Sequence, residues 1–367
     1  MRVLCSFAGG AGHLVPQLPL HRALASAGHE LTLVGRASAT SIAPSGIYRR
    51  VVARPDWRSE LTDAIAPLAP VDIEHELSVI EAHFAGRAAL VAATALDEDL
   101  RGVGLVVCDE VDFGAIAAAQ RARIPVVVVA VIASGALVRP ERLTSALDAL
   151  SDQLGVTESI RPYGDFFVVP FAPPMRDPQF PAPADALWMR PDAGSAPDPD
   201  GSIVATLGTE FNTESGDLFY RILSALSVTD APAVVAIGRD LDVERFGTQP
   251  PHVRVEQFVD FDAVIPRGSV VLHHGGSGLF LRSVLGGAPQ IVFPMGADQP
   301  FTADSVRRIG LGRVLDPITT TADTLVDVVT QLLADEPARR RTAELRHSVL
   351  ALPEPTTIVE HLEEALR

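Results

Sequence analysis

The chain has 367 residues, 47% of them hydrophobic and 21% charged, with a formal net charge of −16. That length exceeds one comfortable core and implies two domains of ordinary size. An acidic balance without a basic stripe excludes a nucleic-acid backbone as partner, and the 30 basic residues include no lysine, which excludes Schiff-base and pyridoxal phosphate chemistry and a P-loop lysine.

Strands and helices alternate along the chain, the pattern of parallel sheets covered on both faces. A strand over residues 3–7 precedes a helix over about 16–27, opened by Pro16 and closed by Gly28, and a strand over 30–34. No signal peptide precedes that first strand, so a cytoplasmic protein is expected. From Arg54 to Leu100 the periodicity weakens, and loops and helices over a cleft are expected. Next come a strand at 105–108, a helix at 113–122 and a strand at 125–131. The longest apolar run, 124–136, is broken by Pro125 and Ser134 and is too short for a membrane span. Cys5 and Cys108 lie in strands far apart and read as reduced core thiols. Residues 170–201, crowded with proline, aspartate and glycine, read as an interdomain linker. The pattern then restarts with strands at 202–207, 233–237, 253–255 and 270–272, a helix near 217–227, and closing helices at 322–334, 337–350 and 357–366. The expected domains are 1–185 and 186–350, with 351–367 a helix that can cross back to the first.

Two glycine-rich turns follow strand ends. In the first, Gly10-x-Gly12 is no dinucleotide fingerprint: Val15 holds the place of the third glycine, and the second strand ends in Gly35-Arg36 without an acid for a ribose hydroxyl. His13 on this turn, at the carboxyl end of a strand where open parallel sheets bind ligands, suits a general base, since imidazole has a reference pKa of about 6.5. Asp109, at the end of the 105–108 strand, is the candidate to orient it, with Glu110 and Asp112 as competitors. A histidine there could equally cap the helix start. The second turn follows an apolar strand as His273-His274-Gly275-Gly276-Ser277-Gly278 and opens a helix, with a further strand and Asp298-Gln299 beyond. Its glycines let the backbone approach a ligand, and the helix start offers unpaired N–H groups and the positive dipole end to a phosphate, with the two histidines as donors beside it.

The run from Gly12-His13-Leu-Val-Pro16 to Gly28-His-Glu, together with His273–Gly278, Gly287-Ala-Pro289 and Asp298-Gln299, closely resembles the GT-B glycosyltransferases of family 1. The likeness is nearest to the actinobacterial enzymes that decorate antibiotics, enediynes, polyketides and other natural products. It covers most of the chain in family order and is weakest between Arg54 and Leu100. It implies an α/β GT-B fold, two Rossmann-like doubly wound parallel-sheet domains facing across a cleft, with the acceptor bound mainly by the first and the sugar nucleotide by the second. Matched position by position, it implies His13 as catalytic base with Asp109 as partner, and Gly12 on the acceptor side. His273, with His274 as near alternative, matches the ligand of the donor diphosphate. Gly275, Gly276, Ser277 and Gly278 match the backbone cradle, and Thr209 a hydroxyl near the phosphates. Phe258 stands where many relatives place a tryptophan against the nucleobase, with Val259 giving backbone contacts, and Asp298 and Gln299 match the pair that holds sugar hydroxyls.

Leu279 departs from the family's usual threonine or serine, and Asp260-Phe261 from a common Pro-Gln. Asp260-Phe-Asp262 is formally the DxD of metal-dependent glycosyltransferases, but its place in the base-binding loop, in a chain where 97–99 and 240–242 repeat the pattern, reads against a metal site. The implied activity is inverting transfer of a deoxysugar from a dTDP-sugar to a hydroxyl of a hydrophobic aglycone, with no cofactor beyond the nucleotide-sugar co-substrate, no nucleic acid or membrane partner, and room for a homodimer. A GT-B nucleotide-sugar epimerase or a cell-wall glycosyltransferase would share the phosphate turn. A non-catalytic sugar-nucleotide-binding activator is the third reading, against which His13 and Asp109 argue, because a pure binder needs no base.

Overall fold

The computed structural model describes residues 1–54, 64–194, 196–209 and 211–367, so the part of the 54–100 expectation that falls on 55–63 lies outside the described residues. Contacts divide the chain into two compact units. Unit 1 comprises Met1–Arg58, Glu74–Asp192 and Ala351–Arg367, and unit 2 comprises Ser59–Ile73 and Ala193–Leu350.

Unit 1 is built on β1 (Arg2–Ser6), β2 (Glu30–Arg36), β3 (Tyr48–Arg54), β4 (Leu105–Asp109), β5 (Val126–Val129), β6 (Phe166–Val169) and β7 (Leu187–Trp188). These form one sheet in the order β3-β2-β1-β4-β5-β6-β7, with every pair parallel. Val3, Cys5, Leu31, Leu33, Leu105 and Val107 bury their side chains against Leu20 and Leu24 of the helix Leu18–Ser26. Each such side chain contributes roughly 1.5–3 kcal/mol when fully buried. The last helix, Pro355–Ala365, adds Ile358, Val359 and Leu362 to the same core.

Two expectations change here. The helix expected from Pro16 begins earlier and is segmented into Ala11–Leu14, a 3-10 turn Val15–Gln17 and Leu18–Ser26, because Pro16 and Pro19 each withhold an N–H and sit in the first turn of a new segment. The stretch read as linker from 170 is largely part of unit 1: β7 pairs with β6, and Phe171, Ala172, Met175 and Met189 are buried. Proline bars a helix but is tolerated in turns and edge strands, so composition alone misread a packed extended segment.

Unit 2 repeats the architecture with β8 (Ser202–Thr206), β9 (Ala233–Ala236), β10 (Val253–Glu256), β11 (Gly268–His273), β12 (Gln290–Val292) and β13 (Gly312–Val314). Their order is β10-β9-β8-β11-β12-β13, again all parallel. Residues 64–72 join this unit, with Ile65 and Leu68 packed on its core and Ala66 N–H donating to Thr213 O at 2.6 Å. In each sheet the strand order reverses at the third position, between β1 and β4 and between β8 and β11, the switch point where open parallel sheets bind ligands beyond their carboxyl ends. Among the described residues no helix is long and apolar enough to cross a membrane.

Candidate active site

The switch point of unit 1 holds His13. β1 ends at Ser6, level with Cys108 of β4, so the turn after β1 and the residue ending β4 emerge side by side. His13 Nδ1 lies 3.3 Å from Asp109 Oδ1, with the histidine side chain 26% exposed and the aspartate buried. Asp109 is held in turn by the backbone: Oδ2 accepts the Ala8 N–H at 2.7 Å and Oδ1 the Val111 N–H at 2.9 Å. A carboxylate gripped at both oxygens is a rigid partner for one imidazole nitrogen.

The competing acids have other work. Glu110 Oε1 accepts the N–H groups of Val131 and Ile132 at 2.7 and 2.6 Å, and burial, opposed by Arg176, pushes its carboxyl up to about 7. Asp112 caps the helix Phe113–Ala122 through the Ala115 N–H at 3.0 Å and accepts the Ser6 hydroxyl at 2.5 Å, and burial beside Asp109 raises it to about 6. Gly12 is exposed, with open space where a Cβ would stand. The glycine that packing demands is Gly9, whose added Cβ would fall 2.2 Å from His13 Nε2. A glycine two residues before the helix turn was its only trace in the sequence.

The switch point of unit 2 gathers the turns after β8 and β11. A Cβ on Gly208 would meet His274 Cε1 at 2.5 Å and one on Gly276 would meet His274 Nε2 at 2.6 Å, so the imidazole lies between two glycines, with Phe211 stacked at 6.2 Å. Thr209, exposed, follows Gly208 directly. His274 Nδ1 is buried without a hydrogen-bond partner among the described residues, and burial next to His273 lowers its pKa to about 3. Gly275 takes φ +101°, and a Cβ there would come within 2.9 Å of Val292. Gly278, in the first turn of the helix Ser277–Leu285, has open space around it.

Three implied assignments look different in this geometry. His273 is fully buried: its Nε2 faces Gln290 Oε1 at 2.8 Å and its Nδ1 accepts the Gly275 N–H at 3.1 Å, so both nitrogens are taken inside the protein. Burial lowers its pKa to about 4 and keeps it neutral. Asp298 Oδ2 accepts both the N–H (3.1 Å) and the hydroxyl (2.5 Å) of Ser277, which engages one donor of the cradle. Gln299 is buried with Oε1 on the Met295 N–H at 2.8 Å. Gln290, an amide in an otherwise apolar strand, was passed over in the sequence.

Phe258 follows edge strand β10. It is 58% exposed, with the Arg239 guanidinium 4.8 Å from its ring centre. Val259 turns its side chain into a small core with Val271 and Leu279, which places Leu279 in packing rather than at the helix start's surface. Asp260 caps the short helix Phe261–Val264 through the Asp262 N–H at 3.0 Å, and Asp262 pairs with Arg282 at 3.0 Å.

Residues 220–365 match the family described as erythromycin biosynthesis protein CIII-like, C-terminal domain. Tylactone mycaminosyltransferase of Streptomyces fradiae is 35% identical over 40% of this chain and 32% of its own length, so that match spans about a third of the relative. Elloramycin glycosyltransferase ElmGT of Streptomyces olivaceus is 27% identical over 100% of this chain and 97% of that one. The crystal structure of glycosyltransferase VinC in complex with dTDP superposes with a TM-score of 0.78 at 22% identity, covering 100% of this chain and 99% of that chain. With two parallel-sheet units of the same strand order, the chain has the GT-B fold, and its sequence is similar to that of glycosyltransferases of actinobacterial antibiotic biosynthesis.

Proposed function

We propose that the chain is an inverting glycosyltransferase that moves a deoxysugar from a dTDP-sugar to a hydroxyl of a hydrophobic natural-product aglycone. The observation that carries this reading is the His13 Nδ1–Asp109 Oδ1 pairing at 3.3 Å. With Nδ1–H turned to the carboxylate, Nε2 is the basic nitrogen of the neutral tautomer and takes the acceptor's hydroxyl proton, while Asp109 stabilises the imidazolium that forms. The acceptor oxygen attacks the anomeric carbon opposite the diphosphate, the carbon–oxygen bond to phosphate breaks, and one in-line displacement inverts the centre. The departing dTDP carries the negative charge away.

That charge is met in unit 2 by His274, the Thr209 hydroxyl and the N–H groups of the glycine turn at the helix start. A diphosphate beside His274 supplies the partner its buried Nδ1 lacks and favours the protonated ring. His274 therefore replaces His273 as the diphosphate ligand. Phe258 offers an exposed face for the base, Asp298 borders the cradle with its Oδ2 held by Ser277, and Gln299, buried on the Met295 N–H, supports the turn rather than meeting the sugar. The carboxylates of Asp260 and Asp262 are committed to a cap and an ion pair, so neutralisation is assigned to these donors rather than to a cation. The choice of dTDP and deoxysugar rests on what the relatives are: a mycaminosyltransferase, and a glycosyltransferase solved with dTDP.

Thermal shift with dTDP, UDP, GDP and NAD tests the donor, since a ligand of the folded state raises its melting temperature. A rise with dTDP above the others is expected, and a rise with NAD alone overturns the reading. Incubation with a dTDP-deoxysugar and an aglycone panel should yield a glycoside of inverted anomeric configuration by proton coupling. A rearranged sugar formed without acceptor would instead mark an epimerase.

A further inference from the structure

The donor turn contains three buried polar groups in series. Gln290 Oε1 on β12 faces His273 Nε2 at 2.8 Å, and His273 Nδ1 faces the Gly275 N–H at 3.1 Å. β11 and β12 are neighbours in the sheet, with His273 level with Val292 and Gln290 level with Val271, so the amide reaches the ring from the adjacent strand. A backbone N–H can only donate, so Nδ1 is the bare nitrogen of a neutral ring and Nε2 bears the proton. That proton requires an acceptor, which sets the carboxamide with its oxygen toward the ring.

We propose that Gln290 is a positioning residue of the donor site: by accepting the Nε2–H of His273 it locks that ring's tautomer, so that Nδ1 anchors Gly275 and the turn presents His274 to the diphosphate. This rests on the reading of unit 2 as the nucleotide-sugar site. Gly275 is where the lock matters, because φ +101° is a backbone conformation that favours glycine, a Cβ there would come within 2.9 Å of Val292, and His274 precedes it directly. A His273 protonated at Nδ1 would set two donors against each other and release the turn. Burial, which holds the ring's pKa down at about 4, works in the same direction.

The arrangement is costly as pure packing. Gln290 Nε2 is buried without a partner among the described residues, and an unsatisfied buried donor destabilises where an apolar side chain of similar volume does not. Stability alone therefore favours leucine or methionine at this place, and the amide's contribution is orientation.

The test compares wild type with Gln290→Leu and Gln290→Glu, the latter retaining the acceptor oxygen. Calorimetric titration with dTDP should give a Kd raised about tenfold in Gln290→Leu, the worth of one misplaced hydrogen bond to a charged group, and largely restored in Gln290→Glu. The donor's KM should rise with it while the acceptor's KM moves less than about twofold. Nitrogen-15 spectra of histidine-labelled protein should show His273 as the Nε2–H tautomer in wild type and as a mixture in Gln290→Leu. A folded Gln290→Leu protein with wild-type dTDP affinity overturns the proposal, as does a wild-type His273 carrying its proton on Nδ1, a reading that stands even if the leucine variant does not fold. Wild-type protein that binds no nucleoside diphosphate while showing the Nε2–H tautomer marks failure of the donor-site reading itself, and the proposal falls with it.

Discussion

Asp109→Asn isolates the proposed catalytic pair, because the structure states what an amide can and cannot replace. The carboxylate accepts two backbone donors, Ala8 N–H at 2.7 Å and Val111 N–H at 2.9 Å, and its Oδ1 lies 3.3 Å from His13 Nδ1. Asparagine has one oxygen. If it faces Ala8, the NH2 group points at Val111 and His13, and the imidazole can bond it only through a bare Nδ1, which moves the proton to Nε2 and removes the base. If the oxygen faces Val111 and His13, the Ala8 N–H is left against another donor. Either way a backbone N–H loses its partner, at about 1–3 kcal/mol, which lowers the melting temperature by roughly 2–10 °C. The first rotamer removes the base and the second removes the charge that stabilises the imidazolium, so kcat should fall by about 10²–10⁴, or roughly 3–5 kcal/mol of barrier.

Initial rates at saturating donor and acceptor, paired with calorimetric dTDP binding on the same protein, read both effects. Asp112→Asn is the control. Its amide oxygen can still take the Ala115 N–H and its NH2 can donate to a rotated Ser6 hydroxyl, so turnover should stay within a few-fold of wild type. A folded Asp109→Asn enzyme turning over within about threefold of wild type would refute the assignment of the pair, a drop that small lying outside general-base magnitudes.

The buried titratable groups give the units opposite responses to acid. In unit 2, His273 and His274 are held neutral with pKa values lowered to about 4 and about 3, so the stability they contribute is present above 6.5 and lost as pH falls through those values, about 3 kcal/mol for His273 alone. In unit 1, Glu110 and Asp112 are raised to about 7 and about 6; their contribution is present below their ordinary values and lost as pH rises, and it offsets the similar acid-side loss from His21, lowered to about 3. Thermal melts from pH 8 to 4.5 should therefore show unit 2 unfolding first on acidification, with an unchanged unit 2 transition counting against the buried neutral histidines. The two cradle glycines should also separate: Gly275→Ala, with its strained φ and 2.9 Å contact, should cost about 1–3 kcal/mol. Gly278→Ala should leave stability equal or higher by up to about 1 kcal/mol while weakening dTDP binding, since its Cβ would stand in the open space at the helix start. Equal dTDP affinity for wild type and Gly278→Ala would argue that the phosphates do not sit there.

Much of the fold was legible because it is local. Alternating apolar runs, with Pro16 and Gly28 or the glycines from Gly275 as punctuation, identify strands and helices without reference to partners, and the segments at 113–122 and 218–227 follow that pattern closely. Harder to read were β7 within a proline-rich stretch, the strands β3, β6 and β13, where none was expected, and the membership of residues 64–72 in unit 2, since composition carries no record of which core an extended segment packs on. Among site residues, Asp109 was indicated by the strand it ends, but nothing in Asp109-Glu110-Val111-Asp112 tells which acid meets His13.

By itself the sequence determined two histidine-glycine turns at the carboxyl ends of strands, because glycine content, strand length and helix starts are properties of a few neighbouring residues. The tertiary structure decided what those histidines are for. His13 meets Asp109 because β1 and β4 lie side by side with Ser6 level with Cys108, more than a hundred residues apart in sequence. His273 is turned inward and His274 left with an unpartnered nitrogen because β12 brings Gln290 to one ring and Gly208 receives the other. Hydrogen-bonding groups are assigned by register between distant strands, and register is settled only when the whole sheet buries its apolar faces together.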